Sequence, residues 1–193
     1  MSTISSTVSP GLVTGPDGME HGVYYAHYLR DSLGKPAPTM YYDLIAGANS
    51  KVVIWDPYFH PADAEVFARL TKEVDVYVLS CKSSQNRTYL QDLIDATRLQ
   101  IPTAVAGNCN FTFGFIDTDI YGKEVWCTHD RYLIIDDTDY YLIGGSVSQH
   151  RAPHQSTGIY QVIEPADKLV IKNAFDKTYA ICTSDRTYKV ETI

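Results

Sequence analysis

Long apolar runs, paired cysteines and positive charge are all scarce in this chain of 193 residues. No apolar stretch approaches the roughly 20 residues needed to cross a bilayer, so no membrane-spanning helix is expected. The opening residues, Met1-Ser2-Thr3-Ile4-Ser5-Ser6-Thr7-Val8-Ser9-Pro10, carry neither a basic leader nor an apolar core. No secretory signal is read there, and a cytoplasmic location is expected. The four cysteines, Cys81, Cys109, Cys127 and Cys182, form no C-x-x-C pair and read as free thiols of a reducing compartment. Cys127-Thr128-His129 offers two metal-binding side chains where a zinc site needs four, so neither a metal nor another cofactor is expected. With 16 Lys and Arg against 23 Asp and Glu, the net charge of −7 excludes a surface that is one broad nucleic-acid footprint. A local basic cleft stays open, and Lys82, Arg87, Arg98, Arg131 and Arg151 are its candidate members.

What is present is an ordinary globular composition, 45% hydrophobic and 20% charged, in a length suited to one domain. Residues 1–20, rich in Ser, Thr, Gly and Pro, read as a loose tail. Residues 21–30 read as a short aromatic helix and 40–48 as another, closed by Gly47-Ala48-Asn49. Lys51-Val52-Val53-Ile54-Trp55 is a strand of the near-continuously apolar kind that a sheet covered on both faces requires. A helix is expected over 62–72, with Ala64, Val66, Phe67 and Leu70 inward, and a strand over 74–79. An amphipathic helix over 89–99 turns Leu90, Leu93, Ile94 and Thr97 to one face. Phe111 to Ile116 is a strand or edge ribbon, with a hairpin back into Val125-Trp126-Cys127. A last strand covers 159–163, and a helix over 166–180 faces Leu169, Val170, Ala174 and Phe175 inward. Strands alternating with helices predict a single layered α/β/α domain with a mixed sheet.

The stretch from His129 to Ser146 carries the chemistry. Leu133 to Ile135 and Tyr140 to Ile143 are β-prone runs, and the four polar residues Asp136 to Asp139 have the composition of a turn, so the segment reads as a hairpin. Side chains alternate along a strand, which points His129 and Arg131 the same way. An imidazole that attacks or shuttles a proton, beside a guanidinium that grips two oxygens, suits a phosphate group. The run resembles the H-x-K-x4-D…G-S-x-N signature of the phospholipase D superfamily. Its residues fall at His129, Arg131, Asp136 and the Gly145-Ser146 step, and the likeness covers about Ser50 to Thr183. The resemblance implies a phospholipase D-like domain over 48–193, with 1–47 as tail and short helices outside it. It also implies a histidine nucleophile that forms a phosphohistidine, and a basic residue that holds the phosphate.

Three positions differ from the signature: arginine replaces lysine, the turn is one residue longer, and Ser148 stands where the asparagine would be. Thr157, or a neighbour in 155–163, occupies the place of a histidine-orienting glutamate. His129, Arg131 and Asp136 are the catalytic candidates, with Arg131, Ser146 and Ser148 holding phosphate. Asp136 has the opposite strand parity from His129, and a role as turn former and hairpin anchor suits it. Asp56, Tyr58 and His60 follow the first apolar strand, where α/β folds gather their ligands, and form a second rank with Thr157.

No second H-x-K or H-x-R occurs, and no internal repeat. A mechanism that needs one histidine to attack and one to protonate the leaving oxygen therefore requires two copies of this chain across a two-fold axis. Two functions follow. One is a homodimeric, metal-independent phosphodiesterase, nuclease-like because no amphipathic membrane-binding helix is present. The other is a degenerate module that binds a phosphate group, nucleic acid or a partner protein without turnover.

Overall fold

Four of the five residues in Lys51–Trp55 are buried, with Val52 and Ile54 packing on one side of the sheet and Val53 and Trp55 on the other. That alternation places the strand at the middle of a sheet covered on both faces. The computed structural model describes residues 11–14, 20–26, 40–82, 88–103, 105, 109–117, 131–144, 157–184 and 189–192. In chain order these form β1 (Gly11–Thr14), β2 (Glu20–Ala26), α1 (Met40–Ala46), β3 (Lys51–Trp55), a 3-10 helix (Pro61–Arg69), β4 (Asp75–Lys82), α2 (Thr88–Gln100) and β5 (Asn110–Asp117). There follow β6 (Arg131–Ile135), β7 (Asp139–Ile143), β8 (Thr157–Val162), α3 (Pro165–Ser184) and β9 (Lys189–Thr192). The strands make one sheet in the order β1-β2-β8-β7-β6-β3-β4-β5-β9. β3, β4 and β5 run parallel, and every other pairing is antiparallel.

The sheet is mixed and lies between helical layers, an α/β/α arrangement. On one face α1, the 3-10 helix and α2 enclose Val52, Ile54, Val76, Val78, Phe111, Phe113, Leu133 and Ile135. Phe67 meets Phe111 edge-on at 5.1 Å between ring centres. On the other face α3 sets Phe175 against Trp55 at 6.0 Å and Tyr179 against Tyr77 at 5.6 Å. No helix among the described residues is long and apolar enough to cross a membrane.

Several local expectations give way. Of the aromatic stretch read as a helix over 21–30, residues 21–26 belong to β2, paired with β8 through Val23↔Tyr160 and Ala26↔Thr157, and 27–30 lie outside the described residues. Val23-Tyr24-Tyr25 favours a pleated surface once a partner strand is beside it, and that partner lies far off in sequence. Part of the expected tail, Gly11–Thr14, is β1, paired on the outer edge of β2. The helix expected over 62–72 is a 3-10 helix over Pro61–Arg69; Ala64 and Phe67, three residues apart, stack one above the other in its buried stripe, and Leu70 is buried just past its end.

On α3, Phe175 and Tyr179 fix the inward stripe. Val170 points nearly opposite that direction and Leu169 about a quarter turn from it, and they are 66% and 56% exposed where burial was expected. β9, which no local pattern announces, pairs antiparallel with β5. The hairpin expected from 111–116 into 125–127 lies outside the described residues.

The hairpin of β6 and β7 is shorter at its tip than its composition implies. Ile135 pairs with Asp139, which belongs to the strand, and the Thr138 N–H closes the turn on the Ile135 carbonyl at 3.1 Å. Asp136 and Asp137 take φ of 54° and 57°. Positive φ at both central positions matches the twist of antiparallel strands, and Asp tolerates it better than most residues.

Candidate functional site

β3 runs antiparallel to β6, and the pairing Trp55↔Tyr132 puts Asp56 and Arg131 on the next rung. By strand parity Arg131 shares the α1–α2 face with Leu133 and Ile135, and Asp56 shares it with Val52 and Ile54. The two side chains meet there, with Arg131 Nε 3.8 Å from Asp56 Oδ1. Asp56 is 2% exposed and the Arg131 side chain 18%, so the carboxylate is sealed and the guanidinium lies over it toward solvent.

The backbone fixes the carboxylate. The Asp56 N–H donates to the Leu79 carbonyl at 3.1 Å, and the Tyr58 N–H donates to Asp56 Oδ1 at 2.9 Å. The Phe59 N–H closes the turn on the Asp56 carbonyl at 3.1 Å. From the other side Arg131 Nη1 donates to the Gly144 carbonyl at 3.4 Å, and the Tyr58 ring centre lies 5.2 Å from the guanidinium carbon. A guanidinium held between the ends of β3 and β7 is preset for bidentate contact with an anion. It stands at the carboxyl end of the parallel strands, where α/β sheets collect their ligands.

The tie between Asp56 and Arg131 has a measurable stability. Breaking a buried pair by removing one partner strands the other charge in low dielectric. Arg131→Ala is expected to lower the unfolding free energy by about 2–4 kcal/mol, and Asp56→Asn in the same chain to restore most of it. Urea unfolding of the two single variants and the double variant gives the coupling, and additive losses would show that the two side chains do not depend on each other.

Asp136 belongs to the opposite end of β6, roughly 16 Å from Arg131 at the rise of an extended strand. Its Oδ1 accepts from the Ser50 N–H at 2.7 Å, the Lys51 N–H at 3.0 Å and the Ser50 hydroxyl at 3.0 Å. Its Oδ2 accepts from the Asn49 N–H and Nδ2, both at 3.0 Å. Partial burial pushes this carboxyl up, but the donors on Lys51, Asn49 and Ser50 outweigh it and hold the group far below the ordinary carboxylate range. The Asp136 N–H also donates to the Lys51 carbonyl at 2.9 Å. The carboxylate therefore clamps the hairpin to the start of β3, as strand parity suggested.

The other candidates divide. Asp56 and Tyr58 come to Arg131. His60 caps the 3-10 helix instead: its Nδ1 accepts from the Ala62 N–H at 3.2 Å, and its own N–H donates to Asp63 at 2.6 Å. Thr157 opens β8 opposite Ala26. His129, Ser146 and Ser148 lie outside the described residues, as do Arg87 and Arg151. Arg98 does not join Arg131. It sits in the last turn of α2, the end leading back to the start of β5, within 3.8 Å of Asp95. Cys109 and Cys182 are buried free thiols, and burial pushes the Cys182 thiol up to about 11, which keeps it protonated. The pairing of Asp56 with Arg131 escaped the sequence because no local signal joins positions 75 residues apart.

No protein-family model matches the chain, and no curated protein does. Among solved structures, NucT from Helicobacter pylori is similar with a TM-score of 0.51 at 15% identity, over 83% of this chain and 95% of that one. Phosphatidylserine synthase from Haemophilus influenzae Rd KW20 gives 0.49 at 15% identity, over 93% of this chain and 41% of that one. TrmBL2, an archaeal chromatin protein described as showing a novel mode of DNA binding, gives 0.39 at 11% identity, over 82% and 52%. NucT is a member of the phospholipase D superfamily, and its match extends over nearly all of its length. Together with the mixed sheet and its helical layers, that likeness shows that this chain has a phospholipase D-like fold.

Proposed function

We propose that this protein is a metal-independent phosphodiesterase, nuclease-like in its substrate, that acts as a homodimer through a phosphohistidine on His129. The observation that carries the reading is Arg131, held by buried Asp56 at the carboxyl end of the parallel strands and two residues from His129 in sequence. In this scheme Arg131 grips the phosphate while Ser146 and Ser148 donate to its oxygens. The His129 ring attacks phosphorus, the bond to the leaving oxygen breaks, and the partner subunit's His129 supplies that oxygen with a proton. Water then attacks the phosphohistidine and gives its proton to the same partner ring, and the P–N bond breaks. Asp136 takes no part in these steps and keeps the hairpin in place.

The test is hydrolysis of single- and double-stranded DNA, RNA and a chromogenic phosphodiester in EDTA, with sedimentation of the same sample. Expected are turnover that survives the chelator, a species of twice the 21.6 kDa of one chain, and acid-labile phosphate on the protein after rapid quenching. A monomer, or turnover that stops with EDTA, overturns the proposal. One observation favours a second reading, a binding module without turnover: arginine stands at the signature's lysine position. A guanidinium binds phosphate well, but its planar fork does not reproduce the placement of a compact ammonium. Phosphate binding that Arg131→Ala abolishes, with no turnover of any substrate, would select that reading.

A further inference from the structure

Among the described residues, the large apolar or aromatic side chains left exposed are Tyr58, Leu99, Ile163, Leu169 and Val170. Four are aliphatic, and three of those lie on helices. The fifth, Tyr58, is an aromatic ring 51% exposed in a turn whose other members, Asp56, Pro57 and Phe59, are buried. That turn is braced by the Tyr58 N–H on Asp56 Oδ1 at 2.9 Å, so the ring stands on rigid backbone. The Arg131 guanidinium lies over one face of the ring, its carbon 5.2 Å from the ring centre.

A cation that holds phosphate and an exposed ring next to it match the two ends of one nucleotide, whose base and phosphate are joined through a single sugar. Base stacking on an aromatic side chain tolerates any sequence, since every base has a π face. It needs an unpaired base, because in a duplex that face is already covered by its neighbours. A lipid headgroup has no such face. The net charge of −7 supplies no broad attraction for a polyanion, which favours contact with the base as a further source of affinity.

We infer that Tyr58 is a stacking surface for the nucleobase next to the phosphate on Arg131, which makes single-stranded nucleic acid the ligand. The inference rests on the reading of Arg131 as the phosphate site.

Fluorescence anisotropy in EDTA, in a His129→Ala background so that the strand stays intact, tests it. The probes are a short single-stranded oligonucleotide, the same strand without bases, and the duplex. The base-bearing single strand is expected to bind about tenfold or more tighter than the other two. Tyr58→Ala should erase that advantage and leave the abasic strand unchanged, while Tyr58→Phe keeps it. Equal losses on base-bearing and abasic strands would mean that the ring only packs against Arg131. That result overturns the inference and leaves the phosphate reading standing, as would a preference for duplex. Failure to bind either single strand removes the phosphate reading and the inference with it.

Discussion

His129→Ala is expected to reduce EDTA-resistant phosphodiester hydrolysis by about 10³-fold or more, since in the proposed scheme the nucleophile and the proton donor are the same residue on two copies of the chain. Initial rates on a chromogenic phosphodiester measure it, and an unfolding curve that superposes on that of the parent protein confirms that the loss is chemical. Mixing supplies a sharper criterion. If one catalytic centre draws a ring from each protomer, equal amounts of parent and variant that exchange subunits leave only about one quarter of the dimers with both rings. Activity per total parent protein should then fall to about half. A protomer that works alone would keep its full rate in the mixture, and that result would remove the shared centre. Arg131→Ala in the same assay should act mostly on KM, because the contact proposed between the guanidinium and phosphate would be made in ground and transition states alike. Arg131→Lys restores the charge without the fork, so it separates attraction from placement.

Asp136→Ala is expected to destabilise the fold by about 2–4 kcal/mol, since hydrogen bonds to an ionised group contribute more than neutral ones and this carboxylate accepts from three backbone N–H groups. In a domain of this size that corresponds to a melting temperature lower by about 5–15 °C. The sign with pH follows from the depressed native pKa: the contribution is complete above the unfolded-chain value near pH 4 and is lost progressively as pH falls toward the native value. Acid titration of unfolding should therefore show the parent losing stability below about pH 4 more steeply than Asp136→Asn. Parallel acid limbs for the two proteins would mean that the clamp is not ionised in the native state. Hydrolysis at 25 °C and neutral pH should survive Asp136→Asn in whatever fraction stays folded, because the clamp lies at the far end of β6 from Arg131.

Much of the framework was legible because it is written in local periodicity. Lys51-Val52-Val53-Ile54-Trp55 could be little other than a doubly buried strand, and the structure has a strand at those five residues. The β6–β7 hairpin and the helices near 40–48, 89–99 and 166–180 rest on the same kind of signal. Errors arose where a distant partner overrides a local preference. The tyrosines of 24–25 form a strand because β8 offers an edge, and β9 exists because β5 does. Leu169 and Val170 point outward because Phe175 and Tyr179 choose which side of α3 meets Trp55 and Tyr77. An apolar residue on a helix says that some face is buried and leaves open which one.

The candidate site divides along the same line. Side-chain identity and the period-two geometry of a strand led to the expectation that His129, outside the described residues, and Arg131 point the same way, and gave Asp136 the opposite parity from His129; those inferences need nothing beyond the chain itself. Which carboxylate holds Arg131, which loop Asp136 clamps, and why Tyr58 stands beside a cation while His60 caps a helix were decided by the register of β3 against β6. That register is a long-range pairing, selected by burial of two sheet faces at once, and no window of neighbouring residues contains it.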